Sequence, residues 1–87
     1  MNIDATLEAR GDLYGDFGKN SAVMMQIITA IMAGDNWHSV PQTHKAALIY
    51  IAGKISRIVC GDPDAIDNWH DIGGYAKLVE DKIRGRQ

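Results

Sequence analysis

The sequence holds a single cysteine, Cys60, among 87 residues, which excludes an internal disulfide and any paired-cysteine metal site. Cys60 sits in the apolar run Ile58-Val59-Cys60 and reads as a small buried hydrophobe. Long apolar runs are missing too. The richest stretch, Ala22 to Ala33, falls well short of the roughly 20 residues that a membrane span requires. The N-terminus begins polar and acidic, unlike a signal peptide. A basic surplus is lacking, with 9 Lys and Arg against 11 Asp and Glu, and the net charge of −2 gives no reason to expect nucleic acid as a partner. There are no repeats, low-complexity tracts or linkers, and no sustained alternation of apolar and polar residues that would mark strands. His38, His44 and His70 lack zinc-ligand spacing, and no P-loop, dinucleotide fingerprint or Ser/His/Asp order is present. No catalytic residue is assigned. The expectation is one soluble, cytoplasmic, all-α domain over residues 1–87.

What is present is helical periodicity. A hydrophobic fraction of 46% and a charged fraction of 23% are those of a folded globular chain. Four helices are expected, packed as a compact bundle. The first runs from Ile3 to about Leu13, capped by Asp4 or Thr6 and weakened near Gly11. Tyr14 to Gly18 reads as a turn, with Asp16 able to cap the next helix. That second helix runs from Phe17 or Asn20 to Ala33, with a stripe of Val23, Met24, Ile27, Ile28, Ile31 and Met32. Gly34 suits a left-handed C-terminal cap, and Trp37 to Gln42 is a loop in which Trp37 plugs the end of the bundle. The third helix spans Thr43 to Cys60, with Leu48, Ile51, Ala52, Ile55, Ile58 and Val59 as its core stripe. The fourth starts near Pro63 or Ala65 and runs to Arg84, with Trp69, Ile72, Ala76, Val79 and Ile83 as its core stripe and a short tail after it. A domain this small buries only about 60–65% of its unfolded surface, so a second subunit would help, and a homo-oligomer is expected.

The chemistry-bearing residues flank Gly61-Asp62-Pro63. Asp67 and Asp71 lie one helical turn apart on one face, and Lys54 and Arg57 share a face of the preceding helix. Two readings of these four charges stay open. They form an internal ion-pair network holding two helices in register, or they form a ligand site. In the second reading Asp67 and Asp71 hold Mg2+ while Lys54 and Arg57 meet phosphate oxygens. Gly73-Gly74 in mid-helix carries a propensity cost that close approach of a helix or of a ligand would offset. Tyr14 and Asn20 either anchor the turn or stack on a base and bond its edge.

The run Glu8-Ala9-Arg10-Gly11-Asp12-Leu13-Tyr14-Gly15-Asp16-Phe17, followed by Asn20, resembles the "ERGxxYGDFxxN" opening of a small family carried mainly by tailed phages and prophages. The likeness continues through His44 to Leu48, Lys54 to Ile58 and Gly61-Asp62-Pro63. It ends on Asp67 to Leu78. That family is similar to nucleotide-modification-associated domains and, more remotely, to all-α nucleotide pyrophosphohydrolases of the MazG type. The resemblance implies a helical oligomer tied to nucleotide metabolism in an infected bacterial cell. It gathers Tyr14, Asp16, Asn20, Lys54, Arg57 and Tyr75 around a nucleotide or nucleotide-like ligand, with Asp67 and Asp71 as the metal-binding pair. The chain departs from the MazG pattern in its carboxylates. The EExxE cluster and ExxD pair of those enzymes are met here only by Glu8 and by Asp67 with Asp71. Three functions are therefore carried forward: Mg2+-dependent phosphoanhydride hydrolysis, sequestration of a nucleotide signal from host defence without turnover, and a protein-interaction module with no ligand.

Overall fold

Pro41 lies in the polyproline region, at φ −58° and ψ 150°, and its missing N–H costs nothing at the start of the helix that follows from Gln42. The longest helix begins there, and the rest of the chain is placed against it. The computed structural model describes residues 2–85. Among them are α1 (Ile3–Tyr14), α2 (Phe17–Met32), α3 (Gln42–Cys60) and α4 (Ile66–Ile83), with a single 3-10 turn at Trp37–Ser39. No strand occurs among the described residues. The all-α class and the four-helix count expected from periodicity hold.

The helix ends show which local signals operate. Asn2, not Asp4 or Thr6, caps α1 by accepting from the Ala5 amide at 2.8 Å. Gly11 lies inside α1 without ending it, and the helix runs on to Tyr14. Asp16 caps α2 as expected, accepting from the Lys19 amide at 3.0 Å. α2 ends at Ala33 in the right-handed region, and Gly34 is not left-handed; the positive-φ glycines are Gly15 and Gly85. Trp37 is half-buried, with the Lys45 ammonium 5.0 Å from its ring centre. Pro63 stays outside α4. Asp62 instead folds the preceding loop, accepting from the Asp64 amide at 2.9 Å, and α4 starts at Ile66. The expected tail beyond Gly85 lies outside the described residues.

Side-chain contacts give the arrangement around α3. Lys54 and Tyr50 meet Asp71 and Tyr75 of α4, whereas Gly53 and Ser56 meet Met24 and Asn20 of α2. At 3.6 residues per turn these two contact faces are roughly 120° apart. α2 and α4 therefore rise from α3 as the sides of a trough, with Tyr50, Gly53, Lys54 and Arg57 along its floor. The small residues Ala47, Ala52, Gly53 and Ser56 let the flanking helices approach, and Ala47, Ala52 and Ser56 are buried.

The far side of α3 overturns part of the expected core. Leu48, Ile55 and Val59 were assigned to the core stripe by periodicity, yet all three are exposed, Val59 at 65%. Trp69 and Ile83, assigned likewise on α4, are exposed at 56% and 69%. Among the described residues the buried apolar ones are three alanines, Ala47, Ala52 and Ala65. Periodicity found a genuine apolar stripe, but the protomer does not cover it. Gly73 and Gly74 depart from expectation as well: a Cβ at either would meet nothing within 4 Å, so no helix of this chain approaches them.

One corner joins the two halves. Gly15 and Gly61 face each other where the α1–α2 turn crosses the α3–α4 turn, and the Asp62 amide donates to the Leu13 carbonyl at 2.7 Å. A Cβ at Gly61 would lie 2.3 Å from the Leu13 carbonyl oxygen, and one at Gly15 would lie 2.2 Å from the Cys60 carbonyl oxygen. Gly15 also holds a left-handed φ of 88°. Gly61→Ala is expected to destabilise the fold by about 1–3 kcal/mol, read as a drop of about 4–8 °C in Tm per kcal/mol for a chain this size. The opposite sign is expected at Asn68. It is wholly buried, and neither atom of its amide has a hydrogen-bond partner among the described residues. Leaving such a group unpaired costs about 1–3 kcal/mol, so Asn68→Leu, which keeps the branched heavy-atom skeleton in a bulkier apolar form, should hold or raise Tm. A large fall would show that the amide is paired in solution.

Candidate functional site

The corner delivers Tyr14 to the end of the trough. The turn at Gly15 leaves Tyr14 as the last residue of α1, and its hydroxyl donates to Asp67 Oδ2 in the first turn of α4. The Arg57 guanidinium lies 4.8 Å from the centre of the Tyr14 ring. Asn20 fastens the same corner from the α2 side: its Nδ2 donates to the Tyr14 carbonyl at 3.1 Å, and its Oδ1 faces the buried Ser56 hydroxyl. That hydroxyl has one proton, which serves Asn20 Oδ1 or the Gly53 carbonyl at 2.8 Å. Further along, Lys54 Nζ meets Asp71 Oδ2 at 2.9 Å, with the lysine side chain 16% exposed and the aspartate 42%. Beyond that pair the Tyr50 and Tyr75 rings stack, with centroids 5.1 Å apart and planes 20° from parallel.

The four charges thus reach one trough, but they pair with neighbours rather than converge on a point. Lys54 takes Asp71, and Asp67 takes Tyr14. Arg57 stacks on Tyr14 with no carboxylate within salt-bridge distance among the described residues. Two hollows open on either side of Arg57. One, of about 660 Å³, is lined by Arg10, Tyr14, Asp16, Asn20 and Arg57, with Leu7 and Phe17 as its apolar wall. The other, of about 330 Å³, is lined by Met24, Tyr50, Lys54, Arg57 and Tyr75.

No protein-family model, curated protein or solved structure matches the chain. The site is accordingly read from its own geometry. All six residues expected around a ligand line one or other hollow: Tyr14, Asp16, Asn20 and Arg57 the larger, and Lys54, Arg57 and Tyr75 the smaller. Asp16 and Asn20 carry structural bonds as well, so of the Asn20 amide one N–H is left for a ligand. Asp67 and Asp71 line neither of these two hollows. No group of three or more His, Cys, Asp or Glu side chains comes together among the described residues. Each of the two aspartates is held by a protein partner through Oδ2. A magnesium ion on these two aspartates would have to take its remaining ligands from phosphate oxygens and water. Sequence reasoning missed two contributors. Arg10 is brought to the larger hollow by the α1–α2 corner, which periodicity does not encode. Tyr50 was visible only as a member of the stripe that carries Lys54 and Arg57.

The Tyr14–Asp67 bond sets the local titration. It is the largest reason that the Asp67 carboxyl titrates below the ordinary carboxylate range, with the Lys54 charge adding a smaller push the same way. The same bond raises the Tyr14 phenol above its ordinary value, aided by burial and opposed by the charges of Arg57 and Arg10. A depressed carboxyl stabilises the fold above its unfolded pKa and loses that contribution as pH falls through the folded one. A raised phenol stabilises below about 10 and loses its contribution as pH rises past the folded value. Tyr14→Phe should therefore return the Asp67 midpoint toward about 3.9 in a carboxyl NMR titration. The Tm gap between wild type and variant should be flat from about pH 5 to 9 and narrow on both sides. An unmoved Asp67 midpoint would show that the bond does not persist in solution.

Proposed function

We propose that this chain binds a nucleotide or nucleotide-like anion in the trough between α2 and α4. The observation that carries the reading is Arg57, a cation stacked on Tyr14 and shared by two adjoining hollows. A nucleotide has a flat ring at one end and negative oxygens at the other. On the 330 Å³ side a stacked tyrosine pair with Lys54 beside it offers a face for the ring. On the 660 Å³ side Arg10 and Arg57 offer a planar, two-pronged match to phosphate oxygens. The sequence motifs shared with a phage family add a setting, the metabolism of an infected bacterial cell, and a kinship with nucleotide-handling helical proteins.

Binding without turnover is the form of this reading that the residues support best. Asp67 and Asp71 are both engaged, and they offer a phosphate-borne Mg2+ two oxygens at most from their free sides. Sequestration of a nucleotide signal needs only recognition, which the arginines and tyrosines supply. Hydrolysis of a phosphoanhydride would also need a water-activating group, and no residue is assigned that role.

A panel of nucleotides, including cyclic and noncanonical ones, is the test, read by thermal shift and then by equilibrium dialysis with Mg2+ or with chelator. At least one ligand is expected to raise Tm. Arg57→Ala should weaken that ligand about 10- to 100-fold, the loss of a charge-assisted bond, with helicity unchanged by circular dichroism. Affinity that survives chelator, with no product on chromatography, marks a binder; product formation marks an enzyme. No shift with any nucleotide at millimolar concentration would sink the reading.

A further inference from the structure

We infer that the apolar back of the α3–α4 pair, on the side of α3 away from the trough, is where a second copy of this chain docks. The two copies then form a four-helix bundle about a two-fold axis. The argument starts from area. A compact monomer of 9.5 kDa exposes about 5,000 Å², whereas this protomer exposes 6218 Å². Its radius of gyration is 14.7 Å, against about 12 Å for a compact domain of its length. The excess of about 1,200 Å² per chain matches what one partner contributes to an obligate homodimer, for which about 2,000 Å² or more is buried in total.

The location follows from spacing. Leu48, Ile51 and Ile55 on α3, and Ala76, Val79 and Ile83 on α4, recur at alternating steps of three and four, the pattern of a seam between packed helices. Within the protomer that seam has only one side. Leu48 and Ile55 are 38% exposed and Ile83 is 69% exposed, and a groove of about 620 Å³ runs between the two helices there. Two antiparallel helices with an open seam are half of a four-helix bundle.

A second copy is the occupant because the surface suits itself. Of the titratable residues lining the groove, Glu80 and Arg84 pair with each other at 2.9 Å inside one protomer, and His44 is the third. The face therefore presents no net charge to repel its own image, as an isologous interface requires. The trough lies on the other side of α3, so pairing leaves the proposed ligand site open.

The experiment is sedimentation equilibrium on the full chain with two variants. Wild type is expected at about 19 kDa, twice the 9.5 kDa chain. Ile55→Glu, at an exposed position of the seam, should give a helical monomer. Met25→Glu, equally tolerable at 56% exposure but on α2, should stay dimeric. A monomeric wild type, a trimer or larger, or a dimer that survives Ile55→Glu overturns the inference. Should Ile55→Glu fail to fold, acrylamide quenching of Trp69 in a Trp37→Phe background decides the face. Trp69 stands 56% exposed at the end of the α4 seam. Quenching that rises several-fold as the assembly dissociates on dilution supports the inference, and quenching independent of concentration overturns it.

Discussion

Two turns cross backbone to backbone at Gly15 and Gly61, and the rest of the structure depends on that contact. No side chain fits between them, because either Cβ would overlap a carbonyl of the opposing turn. The closeness lets the Asp62 amide reach the Leu13 carbonyl and sets Tyr14 beside the first turn of α4. Tyr14 in turn supplies the platform for Arg57 and a proton for Asp67. α1 itself has no buried residue, so this corner, not an apolar core, ties it to the protein. Once the corner is fixed, the charged floor of the trough has little freedom left.

α3 has two contrasting sides because its sequence superimposes two stripes. Tyr50, Lys54 and Arg57, at steps of four and three, face the trough, whereas Leu48, Ile51 and Ile55, also at steps of three and four, face away from it. Between the stripes lie Ala47, Ala52, Gly53 and Ser56, small enough for α2 and α4 to sit close on either flank. A helix with large apolar residues all round would be wrapped on every side and would have no polar floor to offer. The cost of this design is a protomer whose own core is three alanines, which is why it calls for cover from outside.

The helices were legible because their signals are local. Asp16 before Phe17 and Gly61 after Cys60 each mark an end through backbone chemistry that needs no tertiary context. The lysine–aspartate pairing was legible for the same reason: Lys54 and Asp71 each sit on a stripe that points at the neighbouring helix. Burial was not legible. Periodicity states that Trp69, Ile72, Ala76, Val79 and Ile83 share a face, but it cannot state what lies opposite, and Trp69 and Ile83 are left more than half exposed. The fate of Asp67 was hidden as well. Its partner is 53 residues away and arrives only through the glycine corner.

The charges bear on the choice between a structural network and a ligand site. A network that served only to hold α3 to α4 would match each cation with a carboxylate. Lys54 and Asp71 do this, at 2.9 Å and partly open to water, a setting in which an ion pair stabilises by about 1 kcal/mol or less. Arg57 does not. It lies on the Tyr14 ring between two hollows, with Arg10 and Asp16 lining one of them as well, while the Tyr14 hydroxyl is bonded to Asp67. The lining of that hollow carries two guanidinium groups against one carboxylate, Asp16, whose Oδ2 already accepts from the Lys19 amide. A purely structural network does not account for the second cation, and the proposed phosphate-bearing ligand would.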